Sequence, residues 1–221
     1  MDVSHLAQTI AIYALPVLFA ITLHEAAHGY VARYFGDLTA YAQGRISLNP
    51  ARHIDLVGTI VVPIAILAAS TLAGGAGLLF GWAKPVPVNY SALRRPRQNM
   101  LWVAAAGPGA NLVMAFAWAA AYKAAALLPV SDFTQPLLLM GEAGMKVNIV
   151  LMLLNLLPIL PLDGGRIVVS LLPSRIASGS GKLEPLGFPI LLLLLFTSAL
   201  GVILAPMVNF SFRVLGTVFQ I

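Results

Sequence analysis

The chain has 221 residues, of which 59% are hydrophobic and only 10% charged, with a net charge of +5 and a mean hydropathy of +0.89. A soluble domain carries about 25% charged residues, so this composition excludes an ordinary soluble protein, and the basic excess reads as loops facing anionic lipid rather than as a nucleic-acid surface. There is no cysteine, which excludes disulfides and thiolate metal ligands and leaves histidine and carboxylates to bind any metal.

An apolar stretch runs from about residue 6 to 35 and ends at Gly36-Asp37. It is long enough to cross a bilayer, which needs about 20 residues. It does not read as a cleavable signal peptide, because it lacks a basic start and carries His24-Glu25-Ala26-Ala27-His28. His24 and His28 are four residues apart, so a helix places them on one face, a turn from each other. Two imidazoles at that spacing bind one zinc ion, and Glu25, about 100° round the helix, is placed to act on a water activated at the metal without being a ligand. A catalytic zinc keeps three protein ligands and one open position, so a third ligand is expected elsewhere in the chain. The plain alternative is two hydrogen-bonded histidines with a glutamate between them, which puts three polar groups at membrane depth with no function to offset the cost.

Residues 41–50, Tyr41-Ala42-Gln43-Gly44-Arg45-Ile46-Ser47-Leu48-Asn49-Pro50, alternate briefly between turn residues. The pattern predicts a short β-hairpin at the membrane surface, with an edge onto which an extended substrate could pair; the alternative is an ordinary loop. His53 is expected in that loop rather than on the metal. Residues 56–81 are apolar but interrupted by Pro63 and by Gly74-Gly75-Ala76-Gly77, and read as a full span or as a re-entrant segment. Arg33, Arg45 and Arg52 precede this segment, and Lys84, Arg94, Arg95 and Arg97 come after it. The positive-inside rule favours both flanks on the cytoplasmic side, hence re-entrance. Residues 81–89 form a proline-fixed extended loop, and the arginines after it read as a basic cuff against lipid.

A spanning helix is expected over 100–129, containing Ala106-Gly107-Pro108-Gly109-Ala110-Asn111. Its small residues allow close helix approach, and Asn111 is polar at membrane depth, as a packing hydrogen-bond partner or as a group beside the metal. A polar loop at 131–136 and a further helix lead to Asn155-Leu156-Leu157-Pro158-Ile159-Leu160-Pro161-Leu162-Asp163-Gly164-Gly165-Arg166. Irregular backbone at membrane depth is tolerated only where it is buried in protein or lines a cavity. That makes Asp163 a buried carboxylate and the natural third zinc ligand, in preference to a helix cap or a partner for Arg166. Residues 173–184 read as a polar loop, and a last span is expected over about 186–207. The expected architecture is one domain, residues 1–221, an all-α polytopic membrane protein of about four to six transmembrane helices with a broken or re-entrant segment and a short surface hairpin.

These motifs together resemble the site-2 protease family of intramembrane zinc metalloproteases, most of all its small prokaryotic members. The resemblance covers nearly the whole chain and rests on HEAAH at 24–28, GPGAN at 107–111 and NLLPILPLDGG at 155–165, with GRISLNP at 44–50 and GWAKPVPVN at 81–89 also similar. It implies one Zn2+ per chain held by His24, His28 and Asp163, with Glu25 as general base and acid. It also implies a substrate-backbone or oxyanion role for Asn155, with Asn111 as a second candidate for it. The implied partners are transmembrane-protein substrates and the lipid bilayer; whether a regulatory membrane partner exists is left open. The implied location is the cell membrane, multi-pass, with the active site toward the cytoplasm. With a re-entrant 56–81, ten of the thirteen Lys and Arg residues (33, 45, 52, 84, 94, 95, 97, 166, 175, 182) share that side. The alternative reading is a non-catalytic zinc-binding scaffold or pseudoprotease, against which the intact Glu25 argues; a metal transporter would place ligands on several spans, with an internal repeat.

Overall fold

The first helix, α1 (Val3–Tyr34), is apolar along its length and accommodates Pro16. It stops where Gly36 adopts φ +105°, a backbone conformation that costs glycine little. The computed structural model describes residues 3–62, 65, 83–181 and 184–221. A single turn, α2 (Thr39–Ala42), and short turns at Pro50–Arg52, Leu56–Val61 and Tyr90–Ala92 precede α3 (Pro96–Ala126) and α4 (Thr134–Asn155). Then come α5 (Asp163–Leu171), α6 (Ser174–Ser180), α7 (Glu184–Phe196) and α8 (Ala199–Phe219). Four described helices are long and apolar enough to cross a membrane: α1 from Ala7, α3, α4 and α8. Even the shortest, of 21 residues, is about 32 Å long at 1.5 Å per residue.

Helices α1, α3 and α4 pack mutually, α5 lies against α3, and α8 leans on α4 and α7. The contacts use small residues, as expected where lipid tails are as apolar as leucine and only close packing favours association. Ala20, Ala26, Ala104, Ala115, Ala119 and Ala143 are buried. A Cβ added to Gly141 would sit 2.8 Å from the Cβ of Tyr122, and one added to Gly144 would fall on the Trp118 ring. The polar pattern is inverted relative to a soluble protein: Thr22, His24, His28, Asn111, Asn148 and Asp163 are buried, while Trp102, Val113, Val202 and Phe210 face outward. That arrangement suits a hydrocarbon surround, where exposed apolar surface costs nothing and polar groups must find partners inside the bundle.

Two sequence-based expectations are corrected here. No strand occurs among the described residues, so the hairpin expected at 41–50 is absent. Thr39 to Ala42 make one helical turn, started by Asp37, whose Oδ1 accepts the Thr39 N–H at 2.9 Å. Gly44 at φ +62° then turns the chain, and side chains rather than a second strand hold residues 45–52 in place. The Asn49 side chain accepts from Ala51 N, and the Arg45 guanidinium donates to the carbonyls of Arg52, Lys84 and Pro85. The last expected span, 186–207, is instead divided between α7 and α8. Thr197 donates its hydroxyl to the Leu193 carbonyl, and Ser198 at φ +59° breaks the helix, so the spanning segment shifts to Ala199–Phe219. Of residues 56–81, the start is a helical turn over Leu56–Val61 capped by Asp55; the rest of the expected re-entrant segment lies almost wholly outside the described residues.

Candidate metal centre

Helical periodicity brings His24 and His28 to one face of α1, their ring centroids 4.7 Å apart. Asp163 reaches them from the first turn of α5. Its Oδ2 lies 3.2 Å from His24 Nε2 and 3.4 Å from His28 Nε2, and the two Nε2 atoms are 3.1 Å apart. All three side chains are buried. They form a group of possible metal ligands from residues far apart in sequence.

What places Asp163 there is the glycine pair behind it. A Cβ on Gly165 would be 2.5 Å from Leu160 N and 2.6 Å from the Ile159 carbonyl carbon, and one on Gly164 would fall on the backbone of Leu156 and Leu157. Without side chains at these two positions, the first turn of α5 docks directly on the irregular segment 156–162. At the other end of α5, the Arg97 guanidinium on α3 donates to the carbonyls of Ser170, Leu171 and Leu172, meeting the unpaired acceptors of the helix C-terminus. Arg166 turns away from Asp163, toward Pro161 O and Glu184.

The hydrogen bonds around the imidazoles decide their tautomers. The Gly144 carbonyl can only accept, so the Asn148 amide nitrogen faces it, at 2.8 Å. Asn148 Oδ1 therefore accepts from Asn111 Nδ2 at 2.9 Å, which leaves Asn111 Oδ1 to accept from His24 Nδ1 at 2.5 Å. This chain crosses α4, α3 and α1 and begins at an acceptor that cannot be reversed. His28 Nδ1 likewise donates to the Val103 carbonyl, at 2.7 Å. Both Nδ1 atoms thus carry protons, which in the neutral rings leaves each Nε2 as the lone-pair atom.

Three possible ligand atoms, Nε2, Nε2 and Oδ2, then confront one another at 3.1 to 3.4 Å, and Asp163 Oδ2 is a buried oxygen with no hydrogen-bond partner. With both rings neutral, such a cluster calls for a cation. A tetrahedral zinc with ligands at about 2.0–2.1 Å separates its donor atoms by about 3.3 Å, so the residues present fit zinc. The second nitrogen of each histidine is tied to a fixed acceptor, the usual support of a ligating imidazole.

Gly107 supplies the room. A Cβ there would lie 2.6 Å from His24 Nε2 and closer still to His28 Nε2, whereas Gly109 two residues on has nothing within 4 Å. Gly107→Ala is therefore expected to lower bound zinc from about one per chain to a small fraction, and Gly109→Ala to leave it unchanged. Elemental analysis of the two purified variants distinguishes them, and equal zinc in both would contradict the fit.

Glu25 is half-buried beside the cluster but points elsewhere, its Oε2 accepting the Val86 N–H at 2.7 Å. Asn155 ends α4 with its amide donating to the Leu151 carbonyl at 3.0 Å, and no contact ties it to the cluster. Asn111 is fully buried, and its side chain is committed to His24, Asn148 and, at 3.4 Å, the Ala20 carbonyl. His53 stays in its loop, donating from Nε2 to the Ser47 carbonyl. Sequence reasoning missed Asn148 and Val86. Asparagine inside an apolar helix was the available signal for the first; a hydrophobic loop residue offers none.

No family model matches the chain, and no solved structure matches it. Among curated proteins it is 36% identical over 198 residues to a Bacillus subtilis protein named "Putative zinc metalloprotease YwhC", an alignment covering 88% of this chain and 84% of that one. It is 29% identical over 188 residues to the Mycolicibacterium smegmatis protein named "Putative zinc metalloprotease Rip2", covering 83% of this chain and 66% of the relative. Rip2 of Mycobacterium tuberculosis is 30% identical over 148 residues, covering 66% of this chain and 52% of the relative.

Proposed function

Because the chain belongs to the family of YwhC, whose members bear the name of zinc metalloproteases, we propose that it is an intramembrane zinc endopeptidase of the site-2 type, cutting peptide bonds within or near the transmembrane helices of other membrane proteins. The observation that carries this reading is the convergence of His24, His28 and Asp163 with Glu25 beside them, among membrane-length helices. A structural site would have no need of the glutamate.

The chemistry divides among the chain's own residues. His24 Nε2, His28 Nε2 and Asp163 Oδ2 would hold a zinc ion, whose Lewis acidity would lower the pKa of a water toward about 7. Glu25 takes the proton as the water oxygen attacks the peptide carbonyl carbon. It then returns that proton to the departing amine as the C–N bond breaks, leaving a carboxylate and an amine. The Asn148–Asn111 chain keeps the His24 ring in register, and the Val103 carbonyl does the same for His28. Asn155 holds the substrate backbone or the developing oxyanion, which requires it to exchange its bond to Leu151. Asn111 acts through His24. A helical substrate hides its carbonyls in hydrogen bonds, so the segment to be cut must unwind first.

The location is argued from charge. Arg33, Arg94, Arg95 and Arg97 sit where α1 ends and α3 begins, and Arg45, Arg52 and Lys84 lie in the loops beside them. Basic loops mark the cytoplasmic side, which supports a site toward the cytoplasm in a multi-pass protein of the cell membrane. The test is cleavage, in proteoliposomes, of a panel of single-span fusion proteins by the wild-type chain. Cleavage that stops on adding a chelator and returns on adding zinc supports the reading. Cleavage indifferent to the chelator would overturn it.

A further inference from the structure

Glu25 is not free to point where it likes. Its Oε2 accepts the backbone N–H of Val86 at 2.7 Å, and Val86 is buried. The residue sits between Pro85 and Pro87, and proline has no N–H to donate. Val86 therefore carries the one backbone donor of residues 85–87. The prolines also restrict their own φ and the backbone of the residue before each of them, which stiffens the segment in an extended form.

The segment is tied down on both sides of Val86. The Lys84 N–H donates to the His53 carbonyl at 2.8 Å. Arg45 donates to the Lys84 carbonyl at 2.9 Å and the Pro85 carbonyl at 3.3 Å. Beyond it, the Asn89 N–H donates to Asp37 Oδ2 at 2.6 Å, and Asp37 is fully buried at the end of α1. The helix makes room for this loop as well. Gly29 lies one turn beyond Glu25 on the same face, and a Cβ there would be 2.9 Å from Ile46 Cγ1 and 3.3 Å from Val86 Cγ1. A donor held between two prolines, anchored at both ends and seated against a glycine of the same helix, is a built contact rather than a chance one.

We propose that Pro85-Val86-Pro87 is a positioning element for Glu25: the Val86 N–H holds one carboxylate oxygen of the catalytic base so that the other faces the water it deprotonates. This rests on the reading of Glu25 as the base of a zinc protease. A glutamate side chain has three rotatable bonds, and a misplacement of about 1 Å costs on the order of 100-fold in rate. Fixing one oxygen removes most of that freedom without altering the zinc ligands.

Two measurements on the full chain test the proposal. The first needs no activity. In protein labelled with 15N-valine, the Val86 amide is expected to exchange with solvent at least about 100-fold more slowly than an unstructured amide, and about tenfold or more faster in Glu25→Ala than in wild type. A Val86 amide unprotected in wild type, or equally protected in Glu25→Ala, overturns the proposal. The second compares Val86→Pro, which removes the N–H, with Val86→Ala, which keeps it. Val86→Pro is expected to lose about 100-fold in kcat with KM and zinc content unchanged, and Val86→Ala to stay within about threefold of wild type. Equal losses in the two variants would assign the effect to side-chain packing and overturn the proposal, as would loss of zinc from Val86→Pro. A wild-type chain that cleaves no fusion sinks the protease reading alone, since the exchange measurement still decides the Val86–Glu25 bond.

Discussion

Glu25→Gln is expected to abolish cleavage while leaving about one zinc per chain. General acid–base catalysis by a positioned side chain contributes about 10²–10⁴-fold, and here one residue both takes and returns the proton, so a loss of at least about 10³-fold in kcat is expected. Zinc should remain because the three donor atoms come from His24, His28 and Asp163, while the Glu25 carboxylate is turned toward Val86. Glutamine keeps an amide oxygen that can accept the same N–H, so the loop over the site should stay in place. Parallel measurement of cleavage and zinc content separates the outcomes. Cleavage retained in the variant removes Glu25 from the reaction; zinc lost with it makes Glu25 a ligand; and no cleavage by wild type, with zinc bound, favours the scaffold reading.

Asp163→Ala is expected to lose both zinc and cleavage, with a distinctive effect on stability. Losing a partner that merely supports a ligand weakens metal binding about 10–100-fold; losing a ligand should cost more, leaving two imidazoles that cannot hold zinc through purification. In wild type a bound metal would stabilise the fold by mass action. A chelator should therefore lower the thermal midpoint of wild type and leave that of Asp163→Ala unmoved. A variant with full zinc occupancy, or with a midpoint that still responds to the chelator, would remove Asp163 from the ligand set.

Much of this site was legible in one dimension. His24 and His28 meet because the α-helix repeats every 3.6 residues, so their spacing alone specified a shared face. The excess of apolar residues specified a membrane environment, and in that environment a buried Asp163 next to two glycines stood out. The expected hairpin failed because the alternation of residues 41–50 is short, and a strand needs a partner that sequence alternation does not supply. In the structure Arg45, Asn49 and Asp37 satisfy the local backbone with side chains instead. The last span shifted because Ser198, an unremarkable residue between apolar runs, takes a left-handed backbone conformation.

The sequence by itself determined whatever depends on neighbours within a few residues: three of the four membrane-length helices, the pairing of His24 with His28, and the interruption of the helix before Asp163. Only the tertiary structure decided whatever depends on which surfaces meet. The meeting of Asp163 with the histidines, the Gly144–Asn148–Asn111–His24 chain that assigns the imidazole protons, and the Val86 amide on Glu25 each join residues on different helices or loops. The reason is physical. Helix periodicity is a property of the local backbone, whereas hydrogen-bond direction and ligand convergence are set by close packing between segments, where a single Cβ at Gly107 or Gly164 would forbid the arrangement.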